Sequence, residues 1–350
     1  MDIRVVIFAI GFISACIDTV TAIEWKNLGT RISQFLNQIL YNIGFKLYLR
    51  DENKENDRFE SDIEEKDLNM TVEYDNLLWR NENRTVADDI RIRVSLLCWI
   101  MTYPRNHMRQ AIHIKRTWGK RCDILLFMST GNDQRLPTVK LQTHEGKFML
   151  WGKTQAAMRY IYTNYLNQAE WFLKADDDTY VIVENLKYML NDYNTNDPIY
   201  FGYKIRLGST KNGYFSGGAS YVLSREALTR LVSKGLDPKL CNTSPIGYAE
   251  DLDLTLCLDK LGVTPMDSRD EYERGRFFPF VPNHHVDATI KKDYWFWVYN
   301  YYPLSTGRDC CSEFTISFHY INRNMMYVLE YFVYHLRPFG VVYEYHQIYN

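Results

Sequence analysis

From residue 90 onward, unbroken apolar runs alternate with stretches of helical spacing. "RIRVSLLCWIMT" (91–102) is continuously apolar and ends in the turn "YPRN", the pattern of a strand buried on both faces. "CDILLFMS" (122–129), "EWFLKA" (170–175) and "PIYFGYK" (198–204) read as further strands. Between and after them, helical periodicity predicts helices over 107–119, closed by Gly119, and over 152–166, 182–193, 225–235 and 250–262. "GYFSGGASYVLS" (213–224) holds adjacent glycines, where backbone must bend or approach something closely. Such alternation predicts an α/β fold around a mostly parallel sheet. Beyond residue 290 the pattern is aromatic and less regular.

The N-terminal third is different. Residues 5–17, "VVIFAIGFISACI", are apolar and follow Arg4. They are short of the roughly 20 residues that span a bilayer. They fit a signal-peptide core cleaved after Ala22 or, extended to Ile23 across Asp18, an uncleaved anchor; both lead into the secretory pathway. Residues 24–50 are amphipathic, and 51–66 hold eight acidic and three basic residues, the composition of a solvated linker. Sequons at Asn69, Asn83 and Asn242, the last followed by Pro245, agree with that route.

Composition narrows the function classes. A net charge of -2 over 350 residues carries no basic excess, which argues against nucleic acid as a partner. The 27 tyrosines serve equally an aromatic core or platforms for sugar rings. Besides Cys16 there are six cysteines and no C-x-x-C pair, which points to disulfides and away from a zinc cluster. Strand order places Cys98, late in the first strand, near Cys122, which opens the second. Cys241 precedes the acidic helix and Cys257 lies two turns inside it, so a short loop joins them; Cys310 and Cys311 then remain, to bond each other or for one of them to reach another chain.

The chemistry concentrates in "FLKADDDTYV". Three consecutive carboxylates at a strand's end repel one another in a low dielectric. Asp178-Thr179 reads as a helix N-cap. Alternatively, Asp176 and Asp178, on one side of an extended chain, suit a hard divalent cation holding a diphosphate, at the strand ends where open α/β sheets bind ligands. "AEDLD" places Glu250, Asp251 and Asp253 at a helix start, favourable to the dipole or available as a base.

"TYPRNH", "RTWG", "EGKFMLWGKT", "FLKADDDTYV", "GYFSGGASYVLS" and "AEDLDLTLCLDKLGV" follow in one order over residues 91–266. As a set they resemble the Fringe-related β1,3-glycosyltransferases, within them the branch that builds core 1 O-glycans, down to the adjacent cysteines and "SFHY". The resemblance covers about residues 90–320. It implies a GT-A fold, a Rossmann-like sheet with helices on both faces. It also implies a cytoplasmic tip and signal-anchor transmembrane segment over 1–23, a stem over 24–89 and a luminal catalytic domain over 90–340, in a single-pass type II Golgi membrane protein. The implied reaction transfers galactose from UDP-galactose, with Mn2+ as cofactor, to O3 of GalNAc α-linked to Ser or Thr of a glycoprotein, with inversion. The alternatives are a Fringe-like enzyme using another UDP-sugar and an inactive, chaperone-like relative; a homodimer is a further expectation.

The resemblance also assigns residues. Asp176, Asp178 and His319 form the metal site, with Asp178 the direct ligand and Asp176 reaching the ribose or a metal-bound water. Met101, Asn106, Arg109, Glu145, Gly146, Lys147, Lys153 and Asp177 face the donor. Asp251 is the base and Glu250 an orienting or acceptor-binding group. Gly218 and Trp295, or its neighbour Trp297, are placed at the acceptor. Thr255 departs from the family, which carries glycine at that position.

Overall fold

The computed structural model describes residues 84–341, apart from 208–209, 211, 238–239, 248, 288–297 and 304. The apolar N-terminal segment, the sequons at Asn69 and Asn83, and Trp295 and Trp297 therefore lie outside the described residues. Among the described residues no helix is long and apolar enough to cross a membrane.

The first element departs from the apolar pattern. Residues Thr85–Arg93 form a helix, α1, that buries only Ile90. Ion pairs one turn apart, Arg84–Asp88 and Arg93–Asp89, favour it, so the strand expected from residue 91 starts only at Leu96. Strands β1 (Leu96–Met101), β2 (Ile124–Ser129), β3 (Thr138–Lys140), β4 (Trp171–Asp176), β6 (Ile199–Gly202), β9 (Tyr221–Ser224) and β10 (Thr264–Pro265) build one sheet in the order β10-β6-β9-β4-β1-β2-β3. β1 lies parallel to both β2 and β4, and β9 is antiparallel to both its neighbours. Every residue of β1 is buried. Leu97, Trp99 and Met101 join one core with Met158 and Ile161 of α3 (Leu150–Tyr165), Leu228 of α5 (Arg225–Arg230) and Leu258 of α6 (Glu250–Lys260). Leu96, Cys98 and Ile100, which alternation sends to the opposite face, are also fully buried. Helices thus cover both faces, as the continuous apolar runs require; α4 (Val183–Leu190) packs against α1.

A smaller sheet brings the C-terminal segment to the large one. β12 (Ser317–Phe318) lies parallel to β11 (Phe277–Phe278) and antiparallel to β5 (Tyr180–Val181), with Phe318 opposite Tyr180. β7 (Lys204–Ile205) and β8 (Tyr214–Phe215) form a separate antiparallel pair. Disulfides join Cys98 to Cys122, the pair expected from strand order, Cys241 to Cys257, the pair expected from their short loop, and, of the two alternatives left, Cys310 to Cys311.

Two predicted helices are less regular than their spacing, and the tail is more so. Residues 107–119 divide into a π turn (His107–Ala111), the short helix α2 (Ile112–Arg116) and a 3₁₀ turn (Trp118–Arg121). Gly119 lies inside that last turn rather than closing a helix; a Cβ there would meet the Ile114 carbonyl at 2.8 Å. α5 continues as a π turn, Leu231–Leu236. The tail contains α7 (Pro282–Val286) and the twelve-residue α8 (Arg323–Tyr334), the latter capped by Asn322, which accepts from the Met325 amide.

Candidate active site

The acid triplet lies where β4 leaves the sheet, with Asp176 in register with Met101 at the end of β1. The chain turns at once: the Thr179 amide donates to the Asp176 carbonyl. Asp177 faces inward. It accepts from the Thr102 hydroxyl at 2.7 Å and from the Asn106 amide at 2.9 Å. Burial, with Asp178 beside it, pushes its carboxyl up to about 7. Asp177 and Asn106 therefore tie the ends of β4 and β1 together.

Asp176 and Asp178 face the other way, towards His319. The His319 Nε2 lies 3.2 Å from Asp178 Oδ1 and 3.9 Å from Asp176 Oδ2. The potential ligand atoms of the three all fall within 4.8 Å of one another. His319 follows β12, and its position is held from several sides. Its amide donates to the Phe278 carbonyl, the Ile321 amide donates to the Asp178 carbonyl at 2.8 Å, and the Tyr320 ring lies 3.8 Å from the imidazole. Tyr320 turns the chain with a φ of 58°, an uncommon conformation for a bulky residue. A Cβ on Gly218 would come within 2.1 Å of the imidazole, so only glycine admits the ring there. Burial works against charge on both partners, yet each is outweighed by the other: His319 is raised by Asp178 and Asp176, and Asp178 is lowered by His319. Two carboxylate oxygens and one imidazole nitrogen converging in this way fit a divalent cation, which would take the place of the imidazolium proton.

A second acidic pair opens α6, facing the same loop. Glu250 is buried and accepts from Thr154 at 2.9 Å and Tyr221 at 2.7 Å. Asp251 accepts from the Gly217 amide at 2.9 Å and the Leu252 amide at 2.9 Å. Burial raises both, opposed by Lys174 and, for Asp251, first by the Gly217 amide. The glycine loop between the two acidic groups is pinned carbonyl by carbonyl. Lys174 donates to Gly217 at 3.1 Å, Thr179 to Gly218 at 2.9 Å and Ser317 to Ala219 at 2.5 Å.

The remaining expected donor residues take different positions. Met101 is part of the hydrophobic core, and Arg109 is exposed on the π turn. Lys153, 2% exposed, pairs with both Glu145 oxygens at 2.8 and 2.7 Å and donates to the Thr102 carbonyl. Burial lowers its pKa, against the pull of Glu145. Thr130 also donates to Glu145, so this pair joins the ends of β1 and β2 to α3. Gly146 holds a φ of 133° with open space around it, and Lys147 opens the exposed 3₁₀ turn that follows. Gly218, expected at the acceptor, packs on His319. Thr255 is buried inside α6 beside Tyr200. The residues not anticipated are Lys174, Thr154, Tyr221 and Thr179. Lys174 alone left a signal, a charge inside an otherwise apolar strand that requires a partner.

Comparisons with known proteins point in one direction. The profile of a family described as Fringe-like matches residues 93–349. The chain is 46% identical over 266 residues to glycoprotein-N-acetylgalactosamine 3-beta-galactosyltransferase 1 of Xenopus laevis, covering 75% of this chain and 73% of that protein. It is 28% identical over 166 residues to a beta-1,3-glucosyltransferase of Mus musculus, covering 47% of this chain and 33% of that protein. The solved structure of a glycosyltransferase involved in the glycosylation of the major capsid of PBCV-1 aligns with 43% of this chain and 71% of that one. The identity there is 12% and the TM-score 0.28, a likeness too slight to bear on the fold.

Proposed function

The chain belongs to the Fringe-like family, and from that premise we propose that it is an inverting β1,3-galactosyltransferase. It moves galactose from UDP-galactose to O3 of GalNAc α-linked to Ser or Thr, forming the core 1 disaccharide. The observation that carries this reading is the pairing of a metal triad, Asp176, Asp178 and His319, with the buried Glu250 and the half-buried Asp251 across one glycine loop. The 46% identity to the Xenopus galactosyltransferase supports the choice of sugars.

Asp176, Asp178 and His319 would hold Mn2+, which, when bound, neutralises the diphosphate and the departing UDP. Inversion needs one base at the acceptor hydroxyl. Asp251 takes that role. Its carboxylate is oriented by the Gly217 and Leu252 amides, each of which occupies one lone pair and leaves others for the incoming proton. Burial raises it towards the pH at which a base is effective. Glu250, fixed by Thr154 and Tyr221, orients the acceptor. Asp177 holds the shape of the turn. The chain's place in the cell follows the same reading: a type II Golgi membrane protein anchored through its first 23 residues, its catalytic domain in the lumen, acting on O-GalNAc glycoproteins and pairing with a second copy.

A transfer assay with a panel of UDP-sugars and a GalNAc-α-Thr peptide, with and without Mn2+, tests the proposal. UDP-galactose with Mn2+ should give a β1,3-linked product. Transfer of another sugar in its place identifies a Fringe-like relative, and no transfer from any donor removes the enzymatic reading.

A further inference from the structure

Lys174 is a charged side chain at 3% exposure within a strand whose preceding residues are all apolar. Burying an ammonium is costly unless it is paired, and its partners show what it does. Nζ lies 2.5 Å from Asp176 Oδ1 and 3.1 Å from the Gly217 carbonyl, with Glu250 Oε2 at 4.0 Å. The Tyr221 ring is 5.8 Å away. The Gly217 amide in turn donates to Asp251 Oδ2. An unbroken path therefore runs from a metal-site carboxylate through the ammonium and the backbone of one residue, Gly217, to Asp251.

This path divides Asp176 between two roles. Oδ1 is bound by Lys174, while Oδ2 is the oxygen that faces His319. There is no slack at Gly217. A Cβ there would stand 3.0 Å from Glu250 Oε2, 3.3 Å from Lys174 Nζ and 3.4 Å from Asp251 Cβ. We propose that Lys174 is the positioning residue that sets the base against the metal site: by holding Asp176 Oδ1 and the Gly217 carbonyl together, it aims the Gly217 amide at Asp251 and fixes where that carboxylate stands. The proposal rests on the galactosyltransferase reading for the role of Asp251, but the bond path and its effect on metal binding stand apart from it.

The experiment pairs Mn2+ titration, followed by calorimetry on the full chain, with steady-state transfer. Lys174→Met keeps the length of the side chain and removes the charge. It should lower kcat by about 10²-fold, the scale of a displaced catalytic group. Mn2+ affinity should stay the same or rise, because Asp176 Oδ1 no longer has an ammonium bound to it. A residue that merely supported the fold would show the reverse, weaker metal binding with turnover lost in step. Gly217→Ala strains the same path from its other end and covers the case in which Lys174→Met does not fold. It should lower turnover with Mn2+ affinity unchanged. Parental turnover in either folded variant, or a fall in Mn2+ affinity on Lys174→Met, overturns the proposal. If the parent itself transfers no sugar, the galactosyltransferase reading fails, and the Mn2+ titrations alone decide whether Lys174 restrains Asp176.

Discussion

Two clusters of charge adjoin the segment around β5, and they balance differently. In one, which includes Tyr180 of β5, α8 is fastened by Arg121. The guanidinium meets both Glu330 oxygens at 2.7 and 3.1 Å, approaches Glu184 at 3.5 Å and covers the Tyr334 ring at 3.4 Å. Tyr180 donates to Glu330, Tyr334 to Glu184, and Lys120 stands 3.5 Å from Glu330. Two cations meet two carboxylates there, and every carboxylate oxygen has a partner. Near the start of β5, Asp176, Asp177, Asp178, Glu250 and Asp251 are opposed, among the described residues, by Lys174 and His319, while Lys153, which also faces Asp177, is already paired with Glu145. A closed network with matched charge holds structure. A buried excess of one sign costs stability unless something else supplies the missing charge, and that deficit marks the site.

The largest effect should come from deepening the contrast at the site. Asp178→Ala removes one of the proposed metal ligands and should lower turnover by about 10³-fold, given that a bound metal contributes several kcal/mol to such reactions; thermal melting should show the fold intact. Normal Mn2+-dependent turnover in the variant would remove Asp178 from the metal set. Asp251→Asn keeps shape and loses basicity. A fall in kcat of about 10²-fold is expected, with UDP affinity unchanged in a binding titration. Parental turnover would transfer the role to Glu250.

The closed network should respond in the opposite way. Glu330→Gln leaves the buried Arg121 charge with only the more distant Glu184 and should cost about 3 kcal/mol, read by denaturant unfolding, with kcat per folded molecule unchanged. A loss of kcat without a loss of stability would break the distinction between the two clusters.

The smallest effects are in pH dependence, where the regions have opposite signs. Burial lowers His113, which contacts Tyr327 of α8, to about 4. Between pH 6.5 and 4 the unfolded chain takes up its proton first, so this group makes stability rise with pH. Asp177 is raised to about 7 by burial and Asp178. The folded chain keeps that proton longer, so between about pH 4 and 7 this group makes stability fall with pH. Melting temperature against pH should therefore tilt downward in His113→Gln and upward in Asp177→Asn, relative to the parent. Parallel profiles would show that neither group titrates as its burial demands.

How much of this was legible in the sequence depends on whether the signal was local. The strands buried on both faces announced themselves as continuous apolar runs, and the triplet and "AEDLD" stood out as charge at element ends. Residues 91–93 misled because Ile92, between two arginines, leads through Val94 into the apolar run of β1, whereas they close α1, with Arg93 paired to Asp89 one turn earlier. α8 has a clear apolar side; the aromatic composition of the tail around it, not a missing period, hid it. The candidate metal triad needed a residue more than 140 positions from the aspartates, brought to them by the pairing of β5 with β12 and the Ile321–Asp178 backbone bond; family resemblance supplied it, not periodicity. Lys174 was visible as an anomaly, but its partners were not, since the Gly217 carbonyl and Glu250 reach it only through the fold.

Mn2+ titration followed by electron paramagnetic resonance tests the charge deficit most directly, on the parent, Asp178→Ala and Glu330→Gln. The account predicts one tight Mn2+ per chain in the parent and in Glu330→Gln, and none in Asp178→Ala. A parent that binds no Mn2+, or an Asp178→Ala variant that binds it as the parent does, would contradict it.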